Sequence, residues 1–427
     1  MSARNRELAN LIVVCTLTGL GFASVYIARQ EVVSTASLSY AAFFFALYLA
    51  AHLVARLTVP YADPYLLPMA GLLTGIGLTE IYRLNPSDAF RQGLWIVVAL
   101  FAFAATLFLF QHDYRRLESY KYLFGLSAIG LLALPALPVL GTSVNGARLW
   151  VHVGSLQFQP GELAKVFLIV FLAGYLREKR EVLAQGRIKD FGPLLAIWGA
   201  AMLVLVETND LGSGLLYFGI FLAMLYVATA RAWFVVAGLV LFVAGTALVY
   251  KAVPRVEERV TVWIDPWKHS HTTGYQIIQS LYSIGNGGFD GKGFGKGVFA
   301  TTNGHDLIPF LPTDFIYSAL AQELGLVGSA ALLLVYMLFC LRGFRVAMLA
   351  QDGFSKLLAL GLTFGFALQT FIIVGGVLRI IPLTGITLPF VSYGGSSVVA
   401  NFVLLAGLLL VSHRANASSQ LARGGQL

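Results

Sequence analysis

The chain has 427 residues, 58% hydrophobic and only 12% charged, with a mean hydropathy of +0.77 and a net charge of +8. That balance excludes a soluble domain and points to an all-α, polytopic integral membrane protein, because backbone polar groups in lipid must be satisfied inside helices. The positive charge falls mostly between apolar stretches, as a signal for topology and for lipid headgroups, so a nucleic-acid partner is not expected.

A hydrocarbon core about 30 Å thick takes roughly 20 apolar helical residues to cross. In chain order, spans are predicted at 10–28, 35–57, 65–82, 92–111, 122–140, 162–176, 192–207, 210–229, 232–250, 315–341, 357–378 and 387–412, about twelve crossings in all. The first span is too long for a removed signal peptide and lacks its cleavage site. With Arg4 and Arg6 in the cytoplasm, Arg115, Arg116, Lys121, the run "REKREVLAQGRIK", Arg231, Arg342, Arg345, Lys356, Arg414 and Arg423 all fall on the inner side. That pattern obeys the positive-inside rule and puts both termini in the cytoplasm. Residues 1–140 read as N-terminal transmembrane helices and 141–427 as the functional core, with a large extracytoplasmic loop at 251–313. Cys15 and Cys340 lie far apart within spans and read as packing residues.

Unusual chemistry gathers on the outward side. In "QPGELAK", Pro160 suits the first turn of a helix, and Glu162 and Lys165, three apart, share one helical face. They make either a helix-start ion pair or, since ionisable groups in a membrane tend to line cavities, part of a substrate path. Arg148 carries a planar fork of donors suited to phosphate. The loop 251–313 holds Trp263 and Trp267, an amphipathic "YQIIQSLYSI", the pair His269 and His271, and a glycine-rich run that lacks the Ser or Thr of a P-loop and reads as backbone turns. Two histidines do not make a metal site, and none is expected. In "SYGGSS", Ser396 and Ser397 either allow close helix packing or sit on a turn that offers N–H groups to an anion. In "LPTDF", Asp314 can act as a helix cap or as a catalytic carboxylate, and Thr313 can cap equally well. Glu323 reads as a buried polar lock.

The strings "NGARLWVHVGSLQFQPGELAK", "DLGSG", "GYQIIQSLYSIGNGGFDGKGFGKG", "LPTDFIYSALAQELGLVG" and "IPLTGITLPFVSYGGSS" occur in the order typical of the FtsW/RodA/SpoVE (SEDS) family, and the resemblance covers roughly residues 140–412. "IIVGGVLRIIPLTG" looks like actinobacterial members, and within the family the chain is more similar to the RodA branch than to the FtsW branch. The resemblance implies a peptidoglycan glycosyltransferase that polymerises lipid II by β-1,4 linkages at the outer face of the cytoplasmic membrane, alongside a class B penicillin-binding protein. It implies Asp314 as the essential acid, and it carries the family's motifs onto Arg148, Trp150, Glu162, Lys165, Asp210, Ser396 and Ser397. A divalent cation on the departing diphosphate is left open. The chain departs from the family pattern at Pro312, where many members have His, and at Ile373 and Arg379, where many have Asn and Gly; the usual arrangement has ten helices. A lipid II flippase and a non-catalytic scaffold for the cross-linking enzyme are the alternative readings.

Overall fold

The computed structural model describes residues 2–30, 35–137, 140–144, 147–153, 156–184, 191–252, 254–300 and 306–424. Each predicted span is met by one helix: α1 (Ala3–Gln30), α2 (Thr35–Thr58), α3 (Leu66–Leu84), α4 (Pro86–Phe110), then, after the short α5 (Arg116–Ser119), α6 (Lys121–Ala133), α7 (Pro160–Ala184), α8 (Gly192–Glu207), α9 (Leu211–Thr229) and α10 (Ala232–Ala252). The loop contributes α11 (Pro254–Ile264) and α12 (Tyr275–Gly287), and the chain closes with α13 (Ile316–Leu349), α14 (Gly353–Val377) and α15 (Gly395–Gly424). Among the described residues, seven helices are long and apolar enough to cross a membrane by length and composition. The chain is a multi-pass membrane protein. Two inner-loop cations, Arg187 and Lys189, lie outside the described residues.

Boundaries differ where polar sequence can still be helical. α7 runs on to Ala184, and α13 to Leu349, because long basic side chains extend a helix beyond the apolar slab. The last span was expected from 387, yet α15 starts at Gly395; residues 387–394 form an irregular connection in which Phe390 adopts φ +65°. The segment after 140 is a three-stranded antiparallel sheet, β1 (Gly141–Val144), β2 (Ala147–Val153) and β3 (Leu156–Phe158), where only a polar, aromatic stretch was foreseen.

Contacts between element ends place consecutive spans in opposite directions, while α4 and α15, which end together, run parallel. At one end of the bundle the Asp63 carboxylate accepts from Arg342 and its backbone N–H donates to the Ser412 hydroxyl at 2.9 Å, Asp113 pairs with Arg414 at 3.2 Å, and the Tyr114 hydroxyl meets that of Ser355 at 2.6 Å. The opposite end gathers the sheet, the 251–313 loop and the starts of α7, α9, α13 and α15. α14 and α15 form the centre, with 72% and 83% of their apolar stretches buried against 28% for α1. Aromatic rings join them: Phe339 to Phe366 at 4.4 Å, Phe366 to Phe390 at 5.9 Å and Phe390 to Phe402 at 5.3 Å, edge and offset contacts that add to simple burial. Gly77 on α3 lets the 387–394 connection approach so closely that a Cβ there would lie 2.3 Å from the Val391 carbonyl.

Candidate active site

The site forms where four helix starts meet the connection between α14 and α15. In that connection Ser392 accepts the Leu388 N–H at 2.9 Å and donates to the Thr313 carbonyl at 2.6 Å, and the Tyr393 N–H reaches the Pro312 carbonyl at 2.9 Å. Tyr336 donates to the Pro389 carbonyl at 2.6 Å. The "SYGGSS" connection thus holds "LPTDF" from one side, while Gln92 of α4 bridges the Ser392 carbonyl and the Gly394 N–H at 3.3 and 3.2 Å.

Asp314 does not cap α13. The N-cap is Phe315, with no side-chain cap bond, and Thr313 spends its hydroxyl on the Phe310 carbonyl at 2.9 Å. The carboxyl therefore stands in the loop, half-buried, two residues before the helix begins. Burial pushes its pKa up to about 6, opposed by the positive charge of Arg259 and by Thr313. Gly385 lies beside both at φ +74°: a Cβ there would stand 3.7 Å from Asp314 Oδ2 and 4.0 Å from Arg259 Nη2, so acid and guanidinium are within about 8 Å of each other.

A second cluster adjoins the same connection. Lys165, with a side chain 2% exposed, donates to Glu162 Oε2 at 3.0 Å and to Gln369 Oε1 at 2.5 Å. Gln369 in turn donates to the Thr387 carbonyl at 3.0 Å, and the Thr387 hydroxyl reaches Ser397 at 2.7 Å and Glu162 Oε1 at 3.5 Å. Ser397 also accepts from Asn401 at 3.2 Å, and Ser396 accepts the Gln159 N–H at 2.7 Å just before α7. Lys165 can be buried as a cation because it is paired and hydrogen-bonded. Asp210 caps α9 by accepting the Ser213 N–H at 3.0 Å and lies in the electrostatic range of Glu162 and Arg259. Gly212 brings that helix start against the Thr384 carbonyl, 2.8 Å from where a Cβ would be.

Glu162, Lys165, Asp210, Thr313, Asp314, Ser396 and Ser397 therefore surround one connection. The remaining sequence-predicted positions lie apart. Arg148 is exposed on β2 and joins the site through its backbone N–H to the Thr208 carbonyl at 3.2 Å; Trp150 is half-buried in the same strand. Glu323, fully buried, accepts from Arg83 at 3.1 Å and from the Gly295 and Gly297 N–H groups at 2.6 and 3.0 Å. It ties the glycine-rich run to α3, and Gly291, Gly293 and Gly295 all have positive φ there. Sequence reasoning missed Arg259, Gln369, Thr387, Gln92 and Asn401. Solitary amides inside apolar spans were the available signal for three of them. For Arg259 it was the spacing of Val256, Arg259 and Trp263, which puts a cation on the inward face of the short α11.

Residues 64–417 match the family model described as "Cell cycle protein" (FTSW_RODA_SPOVE). The chain is 41% identical over 434 residues to the peptidoglycan glycosyltransferase RodA of Mycobacterium tuberculosis, covering 96% of this chain and 91% of that one. It is 35% identical to the stage V sporulation protein E of Bacillus subtilis, over 82% of this chain and 96% of that one. Among solved structures it resembles a chain from work on the structural coordination of polymerization and crosslinking by a peptidoglycan synthase complex (TM-score 0.70, 28% identity, 83% and 98% covered). It also resembles the rod shape determining protein RodA of Thermus thermophilus (TM-score 0.61, 27% identity, 83% and 97% covered).

Proposed function

Since the chain belongs to the FtsW/RodA/SpoVE family and is a membrane-embedded peptidoglycan glycosyltransferase, we propose that it polymerises lipid II with Asp314 as the general base. The acceptor sugar hydroxyl attacks the anomeric carbon of the donor, the bond to undecaprenyl diphosphate breaks, and a β-1,4 linkage forms with inversion. The hydroxyl proton passes to an Asp314 oxygen. Because a hydroxyl is far less acidic than a carboxyl, transfer comes late, as bond formation acidifies the proton. The observation that carries the reading is the placement of Asp314: off the helix cap, half-buried, raised to about 6 and within about 8 Å of the Arg259 guanidinium beside Gly385.

The departing diphosphate needs positive charge aimed at it before the reaction. Lys165 engages two of its three donors with Glu162 and Gln369, and Ser396 and Ser397 border it at the start of α15. Arg148 and Trp150, on the sheet at the same end, would meet the substrate as it enters. A divalent cation would supply further positive charge to the departing diphosphate, and a chelator titration measures its share.

The site end faces outward and the end rich in Arg4, Arg56, Arg115, Arg342 and Arg414 faces the cytoplasm, with both termini there. The partner that receives the glycan is a class B penicillin-binding protein.

Purified protein with that partner and lipid II is expected to form polymer, and Asp314→Ala to abolish it while expression and partner binding persist. A mutant that still polymerises would remove Asp314 from the base role.

A further inference from the structure

α14 ends at Val377, and Arg379 follows in the left-handed region at φ +60°. Glycine is the residue that favours this conformation after a helix, and an L side chain holds it only where contacts fix it. Arg379 has such contacts. Its Nε donates to the Trp263 carbonyl at 2.8 Å and its Nη2 to the Ile264 carbonyl at 2.5 Å. Trp263 Nε1 returns a bond to the Arg379 carbonyl at 3.2 Å, and the guanidinium lies 5.1 Å from the centre of the Trp267 ring. The two carbonyls belong to the last turn of α11, where carbonyls lack helical partners and a cation is favoured by the helix dipole.

α11 also carries Arg259, one helical turn before Trp263 and so on the same face. Arg259 meets Gly385, six residues after Arg379 along the same connection, and through it Asp314. The connection therefore touches α11 twice: once to fasten its end and once to seat its cation by the acid. A cleft of about 500 Å³ lined by Trp263, Ile264, Leu281, Leu378 and Arg379 leaves room for that end to shift.

We propose that Arg379 is a positioning residue for the transfer reaction: its clamp on Trp263, Ile264 and Trp267 sets the place of α11 and holds Arg259 beside Asp314. This rests on Asp314 being the base. Glycine suits the backbone at this position, so Arg379→Gly removes the clamp while relieving the backbone, and a loss of function does not reduce to misfolding. Arg379→Lys keeps the charge but not the planar fork and should fall between.

The test has two arms, both on the full-length protein. In the first, Cys15→Ala and Cys340→Ala clear the background, and spin labels are placed at Glu257→Cys on the exposed side of α11 and at Met348→Cys at the far end of α13. The distance distribution should be narrow in the parent and broadened by Arg379→Gly. In the second, polymerisation of lipid II by the complex with its penicillin-binding partner should show kcat lowered about tenfold, KM within about twofold, and the acid limb of the pH–rate profile moved upward. An unchanged distance distribution overturns the clamp. A broadened one with unchanged kcat and pH profile overturns the positioning role. Failure of the base reading is seen separately: Asp314→Ala would still polymerise, while the distance arm continues to judge the clamp by itself.

Discussion

Replacing Arg259 by Gln tests the electrostatic core of the mechanism. Burial raises the Asp314 pKa to about 6 even with the Arg259 charge pulling it down. A base must be deprotonated, so activity is present above this value and lost as the pH falls through it, with about a tenth remaining one pH unit below. At the outer limit of about 8 Å and an effective dielectric constant of about 20, a unit charge contributes at least about 2 kcal/mol to the ionised form. Since 1.36 kcal/mol corresponds to one pKa unit, Arg259→Gln should move the midpoint from about 6 to roughly 7.5 or above. The assay is the initial rate of lipid II polymerisation by the complex from pH 5 to 9, with the melting temperature of each variant followed at each pH. At pH 6.5 the variant should be several-fold slower than the parent, and near pH 9 the two should converge if charge alone separates them. A midpoint near 4 in the parent, or one that Arg259→Gln leaves in place, would refute the reasoning.

Lys165→Ala leaves Glu162 and Gln369 buried without their shared partner, and breaking a buried pair this way costs about 3–5 kcal/mol; thermal unfolding in detergent should show it, together with loss of polymer. Glu323→Gln keeps the shape but withdraws the charge that holds Arg83 and the Gly295 and Gly297 N–H groups. Hydrogen bonds to a charged group are worth about 1.5–3 kcal/mol each, so protection of the glycine-rich run against hydrogen exchange should fall while the pH midpoint of polymerisation stays put.

The class of the protein and the order of its helices were legible in the sequence because the bilayer imposes a length and an apolarity on every crossing. Each predicted span has its helix, and Glu162 with Lys165 was readable as a pair because three residues of helix bring them to one face. The ordered motifs also identified the family. The sequence left the role of Asp314 divided between cap and base, since both uses place an acid before a helix. The tertiary structure removes the cap: Phe315 takes that position and the 387–394 connection holds Thr313, leaving the carboxyl in the loop near Arg259 and Gly385. Arg259, Gln369 and Thr387 enter the site from elements far apart in the chain, and no local periodicity records such meetings. Likewise Arg379 reads as one basic residue after a span; its bonds to Trp263 and Ile264, more than a hundred residues earlier, exist only after the bundle has closed, because they depend on where the end of α14 comes to rest against α11.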